Sequence, residues 1–172
     1  MAVKKNNGLV YGIGKLLFCD KEIGWISQDG LSPKGEAKQT TPVYAAQVHD
    51  GPVDELTSNP GSTAFGFKLI QLNAQSCVDL FGGTISEKDG AYEAPDDFKD
   101  LEGPFVVECV SGHKIEVPRA KMSGELADSI NMSGVLSYDC TVKCLKPEEE
   151  DKKRFRIIPP QEVEQPANVQ EG

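Results

Sequence analysis

The sequence predicts a mainly β domain with a single short α-helix, and three observations carry that expectation. Between Gly134 and Lys146 the chain alternates, with Leu136, Tyr138, Cys140, Val142 and Cys144 on one side and Ser137, Asp139, Thr141 and Lys143 on the other. That is the period of a half-buried strand. Other apolar stretches are short and bounded by turn-forming residues such as Gln28-Asp29-Gly30 and Ser111-Gly112. The clearest helical spacing lies between Asn73 and Gly83.

Taken in order, the first element is a hairpin. Gly14 to Cys19 forms one arm, Asp20-Lys21 the turn, and Glu22 to Ser27 the other arm, with Ile23 and Trp25 upon it. Residues 35–47 are a second extended stretch centred on Thr40-Thr41-Pro42-Val43-Tyr44, where Pro42 lacks a backbone N–H and marks an edge or a break. From His49 to Ser62 the turn-rich composition, with Asp50, Asp54 and Glu55 and no Lys or Arg, predicts a long loop. Loops of that length in a compact domain usually have a function.

Thr63 to Leu72 is a strand with Phe65, Phe67 and Leu69 on one face. Asn73 is suited to cap a helix over about 74–82, in which Ala74, Cys77, Val78, Leu80 and Phe81 share a face. Gly82-Gly83 ends it, because glycine accepts a positive φ. Residues 86–102 are an acidic loop: Glu87, Asp89, Glu93, Asp96, Asp97, Asp100 and Glu102 stand against Lys88 and Lys99. Phe105 to Val110 pairs through Ser111-Gly112 with Lys114 to Lys121, and Glu125 to Ile130 is a turn of helix or extended chain. Beyond Pro147 an acidic then basic run precedes Phe155-Arg156-Ile157-Ile158, whose apolar island is long enough to add a strand or clamp to a neighbouring subunit.

Composition narrows the function. A chain of 172 residues, 38% hydrophobic and 26% charged, suits one domain with its own core. A net charge of -9 argues against gripping nucleic acid, since binding needs Lys and Arg to displace counterions from phosphate. No apolar run follows Lys4 and Lys5, and none approaches the ~20 residues of a membrane span, so the expectation is synthesis and folding in the cytoplasm with no membrane partner. Five cysteines without an export signal predict reduced, mostly buried thiols. Cys140 and Cys144 on one strand lie roughly 13 Å apart, too far to share a zinc ion, and Cys109 with His113 supplies only two ligands. No metal or cofactor is expected.

Catalytic constellations are likewise not predicted. Gly12-Ile13-Gly14 lacks a third glycine and leads into a strand, so it is no dinucleotide loop. There is no Gly-x-Ser-x-Gly elbow, and His49 and His113 have no adjacent acid and serine at triad spacing. Asp96-Asp97 reads as solvent-facing charge. Trp25, Phe65, Phe67, Phe81 and Phe105 are all expected in the core, where packing accounts for them without stacked bases. The chain is expected to be no enzyme.

The order of elements resembles the major tail tube proteins of long-tailed bacteriophages, whose fold is shared by the tube proteins of type VI secretion and contractile injection systems. The likeness is carried by Gly14-Lys15-Leu16-Leu17-Phe18 with Glu22-Ile23-Gly24-Trp25-Ile26-Ser27, by Asn73 to Thr84, and by His113 to Lys121 leading to Ser133-Gly134 and the strand ending Leu145-Lys146-Pro147. It spans about residues 8–147 and contains no strict signature.

That resemblance implies a β-sandwich or small β-barrel flanked by one short helix, as a domain over 1–147 with an N-terminal arm (1–8) and a long inter-subunit loop (49–62). An extended or flexible C-terminal arm would occupy 148–172. It implies homohexameric rings stacked into a virion tail tube, with tape measure and tail terminator proteins as partners and DNA passing through without specific binding. Open strand edges would then pair with neighbouring subunits, and a lumen rich in acids would repel DNA. The expected contact residues are Asp50, Val53, Asp54 and Leu56 in the loop, and Phe155, Ile157 and Ile158 in the tail. An injection-system tube, or a monomeric cytoplasmic β-barrel module using its acidic loop, are the alternatives the residues leave open.

Overall fold

The computed structural model describes residues 8–161. Its strands are β1 (Ile13–Phe18), β2 (Lys21–Glu22), β3 (Ser32–Pro33), β4 (Gln39–Val43), β5 (Asp54–Asn59) and β6 (Ala64–Leu69), followed by the helix α1 (Ala74–Phe81). Then come β7 (Thr84–Ile85), β8 (Tyr92–Glu93), β9 (Leu101–Cys109), β10 (Lys114–Ala127), β11 (Ser137–Cys144) and β12 (Arg156–Ile158). Among the described residues the protein is mainly β with one short helix, as expected.

The main sheet runs β2-β1-β9-β10-β11-β6-β3, and its pairings are antiparallel. It curls back on itself. After two residues paired to β1, the chain leaves β2 and crosses to the far end of the sheet, where Ile26 bridges Leu69 and Ser27 N–H donates to the Lys68 carbonyl at 2.7 Å. Residues 21–27 therefore serve both ends of the sheet and close a small barrel. The expected second hairpin arm, Glu22 to Ser27, is split for this reason: its first residues pair with β1 and its last with β6.

The barrel interior is filled by inward residues from each long strand. Phe18, Leu69, Phe105, Val107, Val117, Met122, Cys140 and Val142 are almost wholly buried, and Phe67 and Phe105 stack across the barrel with ring centroids 6.3 Å apart. The alternation of β11 is realised from Tyr138 onward, with Tyr138, Cys140, Val142 and Cys144 buried and Lys143 exposed. At its start Leu136 is only half-buried, and Ser137, expected on the wet side, is buried with its hydroxyl donating to Asp128. α1 covers one end. The Asn73 side chain accepts the Ser76 N–H at 2.8 Å, Gly82 takes φ 78 at the C-cap, and Cys77, Leu80 and Phe81 face inward.

β10 has 14 residues and acts as the spine. One edge carries β9, and the other carries β11 over Ala120–Ala127 and β12 over Lys114–Glu116. β12 thus continues the line of β11 along the same edge, after an excursion over 145–155. The alternatives for Glu125 to Ile130 are resolved as extended chain up to Ala127.

Candidate assembly surfaces

The segment read as a loop over 49–62 instead contains β5, which pairs with β4 in a two-stranded sheet apart from the barrel. Sequence pattern hid it because both faces of this hairpin meet solvent: every residue of β4 but Val43, and of β5 but Asn59, is exposed. Without a dry face there is no alternation to detect. At ~3.4 Å per residue the arm projects roughly 20 Å.

Its base is tightly built. Ser62 N–H donates to the Glu36 carbonyl at 2.9 Å, Glu36 N–H to Ser62 Oγ at 3.2 Å, and Asn59 Nδ2 to Glu36 Oε2 at 3.3 Å. The two legs approach so closely that a Cβ at Gly61, itself at φ 79, would stand 2.8 Å from the Glu36 carbonyl. One at Gly35 would overlap the Ser62 carbonyl. The arm is therefore held firmly at its neck, and above it by the ladder and the Thr40 hydroxyl donating to Glu55 at 3.4 Å.

Of the expected contact residues, Asp50, Val53, Asp54 and Leu56 all lie on this arm and are exposed, Leu56 at 59%. Tyr44 and Val48 add further exposed apolar surface near its tip. Phe155, Ile157 and Ile158 lie elsewhere, on the barrel wall. The tail does not extend freely there: Ile157 faces Ile115 and Ile158 faces Lys114 within the chain's own sheet, and Pro160 packs close to Gly112. An open position on the edge of β10 recruits the nearest strand-competent segment, which is the chain's own. Phe155 and Ile157 keep exposed faces; Ile158 is half-buried. The N-terminal arm up to residue 7 and the tail from residue 162 lie outside the described residues.

Two further apolar surfaces were not anticipated. The end of β10 and the turn that joins it to β11 carry Leu126, Ile130, Met132 and Val135, all exposed, with Met132 fully so. Its shape is set by Asn131, whose side chain accepts the Ser133 N–H at 2.9 Å, and by the Asn131 N–H to Gly134 carbonyl bond at 3.2 Å. At the other end of β10 a cleft of about 860 Å³ opens into the barrel, lined among others by Leu16, Ile23, Phe65, Val107 and Ile115. Trp25, expected in the core, stands at its rim 74% exposed. It lies where the chain crosses between strands, and the crossing turns its side chain outward.

Some of the charged groups pair over the outer wall. Lys34 reaches Asp139 at 2.8 Å with its stem lying over Gly66, and Lys121 reaches Asp100 at 3.3 Å. These contacts offset unfavourable cross-strand neighbours, since Glu125 lies opposite Asp139 and Lys121 opposite Lys143. The Ser137 hydroxyl, donating to Asp128, and the Lys68 ammonium at 3.0 Å hold the Asp128 carboxyl below its usual range.

His113 is buried, with Nδ1 3.0 Å from Ser111 Oγ, which also accepts the Tyr11 N–H. This contact ties the β9–β10 turn to the chain preceding β1. His49 is exposed on the arm. Among the described residues no group of three or more His, Cys, Asp or Glu side chains is placed to hold a metal ion. Burial pushes the Cys140 thiol up to about 12 and that of Cys144 up to about 11, so both stay protonated at neutral pH. No helix among the described residues is long and apolar enough to cross a membrane. No protein-family model matches the chain, and no curated protein matches it in sequence.

Proposed function

We propose that the chain is a self-assembling structural subunit, a bacteriophage major tail tube protein whose hexameric rings stack into the conduit for DNA. The observation that carries this reading is the β4–β5 arm. An isolated two-stranded hairpin is marginal in water, yet this one stands clear of the barrel with Tyr44, Val48, Val53 and Leu56 exposed upon it. A neighbouring subunit supplies the missing face, and the exposed strand edges, a hazard in a monomer, become assembly surfaces.

The role is passive and non-catalytic. Net acidity serves it, because a channel for DNA must avoid the cationic groups that bind phosphate. Tape measure and terminator proteins are the expected tail partners, and the virion tail the expected location. The test is to purify the chain and observe it by negative-stain electron microscopy and light scattering over a range of concentration. Rings or tubes are the expected result; a strictly monomeric protein at high concentration overturns the reading.

A further inference from the structure

The two unanticipated apolar surfaces lie at opposite ends of one strand. Ile115, near the start of β10, lines the cleft, and Leu126, near its end, belongs to the exposed turn. The eleven steps between them span about 35–40 Å. A chain cannot put this turn into its own cleft. A second copy can.

We infer that the Leu126–Val135 turn of one copy seats in the barrel-end cleft of another, joining subunits head to tail. This rests on the reading of the chain as a self-assembling subunit and names the surfaces that meet. The cleft exists because the wall is incomplete: β9 flanks β1 from Ile13 to Phe18, whereas β2 pairs only with Leu17 and Phe18. The half-buried side chains Ile13, Phe65 and Ile115 thereby stay open to the outside over the buried Leu16 and Val107. The turn is shaped in advance by its Asn131 bonds, so little order need be gained on docking.

Charge permits the contact on both sides. Asp128, the acid within the turn, is already met by Lys68 at 3.0 Å, and at the cleft Lys15 lies 3.9 Å from Glu22. Those charges are thus already paired, and Asp29, which also lines the cleft, accepts from the Ser27 hydroxyl at 3.3 Å. The exposed apolar groups available are Leu126, Ile130, Met132 and Val135 on the turn, and Val10, Tyr11 and Trp25 at the rim. At about 100 Å² each they offer about 700 Å², below the ~1,200 Å² of a stable single interface. A repeating assembly suits such a contact, since many weak copies act together. Because the surfaces differ, the contact is heterologous and propagates.

A photo-crosslinking residue, benzoylphenylalanine, replaces Met132 in the otherwise unchanged chain and is irradiated under assembly conditions. Capture of a second copy within residues 10–16 or 22–31, the two segments that carry the rim residues Tyr11 and Trp25, is expected. Capture elsewhere, or none, overturns the contact. In parallel, the exposed-residue variants Ile130→Asp with Met132→Asp, and Tyr11→Asp with Trp25→Asp, should keep the native circular dichroism and each raise the critical assembly concentration roughly tenfold or more. Assembly at the wild-type concentration by either folded variant refutes the pairing. If wild-type tubes form while crosslinks map elsewhere, the pairing fails and the tube reading stands. If wild-type chains neither assemble nor crosslink, both fail.

Discussion

Tyr138 on β11 lies against Phe81 at the end of α1, ring centroids 3.9 Å apart and planes 20° from parallel. Gly124 on β10 makes room for this stack, because a Cβ there would stand 2.6 Å from Phe81 Cε1. The contact fastens the short helix over the barrel end. A helix of eight residues has too few internal bonds to persist alone, so its order depends on packing.

Replacing Phe81 by Ala should therefore cost about 3–5 kcal/mol, as large-to-small changes at buried aromatics do. Gly124→Ala should also destabilise, through a clash instead of a cavity, and pairing it with Phe81→Leu should recover part of the loss. Urea denaturation of the wild type, Phe81→Leu, Gly124→Ala and the Phe81→Leu, Gly124→Ala double variant measures this coupling. Strictly additive losses would show that the glycine and the ring do not share a space.

The thiols make a second prediction. Cys19 is exposed whereas Cys77, Cys140 and Cys144 are buried, so a thiol reagent should modify Cys19 first and reach those three only on unfolding. Burial keeps Cys140 and Cys144 protonated up to about pH 12 and 11, while the unfolded thiols ionise near their ordinary value of 9.0. Between these limits the folded chain holds protons that the unfolded chain releases. Their contribution is complete below about pH 9 and declines as pH rises. Replacing Cys140 by Ala should flatten the alkaline fall in stability by about one proton's worth, measured as the pH dependence of urea unfolding. An unchanged slope would sink the assignment.

The β1–β2 turn was expected at Asp20-Lys21 and forms one residue earlier. Cys19 and Asp20 both have positive φ, 50° and 63°, the conformation of the tight hairpin turn that favours Asn-Gly. Each is a strained choice for a residue with a side chain. The double substitution Cys19→Asn with Asp20→Gly should raise stability by about 1 kcal/mol. A fall in melting temperature would contradict the turn geometry.

What the sequence revealed follows from where burial is one-sided. β11 and α1 were legible because each has one dry face, and Asn73 announces its cap through a side chain whose bond is local. The arm was not, since wet residues on both sides erase the period. Nor was the closure of the barrel, in which the chain from Lys21 to Ser27 changes partners midway and carries Trp25 outward. The tail's apolar island at Phe155 to Ile158 was recognisable as a strand former. Its partner, the edge of β10 left open beyond β11, is a property of the folded sheet that no local pattern encodes.

The arm gives the sharpest test of assembly. Gln39 and Asn59 are directly paired where the hairpin leaves its neck, so residues 40–58 can be excised and replaced by Asn-Gly, a dipeptide suited to joining adjacent antiparallel strands. Cutting at 49–62 would be less clean, because Gly61 and Ser62 belong to the neck and Ser62 holds Glu36. The shortened chain should keep the barrel, since none of the buried core side chains comes from the arm. Its circular dichroism should remain that of a β protein and its stability should change by no more than about 1 kcal/mol, as expected for removal of exposed residues. Light scattering should then report a folded monomer under conditions where the full chain assembles. A shortened chain that still forms tubes would show that subunits are joined by other surfaces; one that unfolds would show that the arm supports the barrel on which it stands.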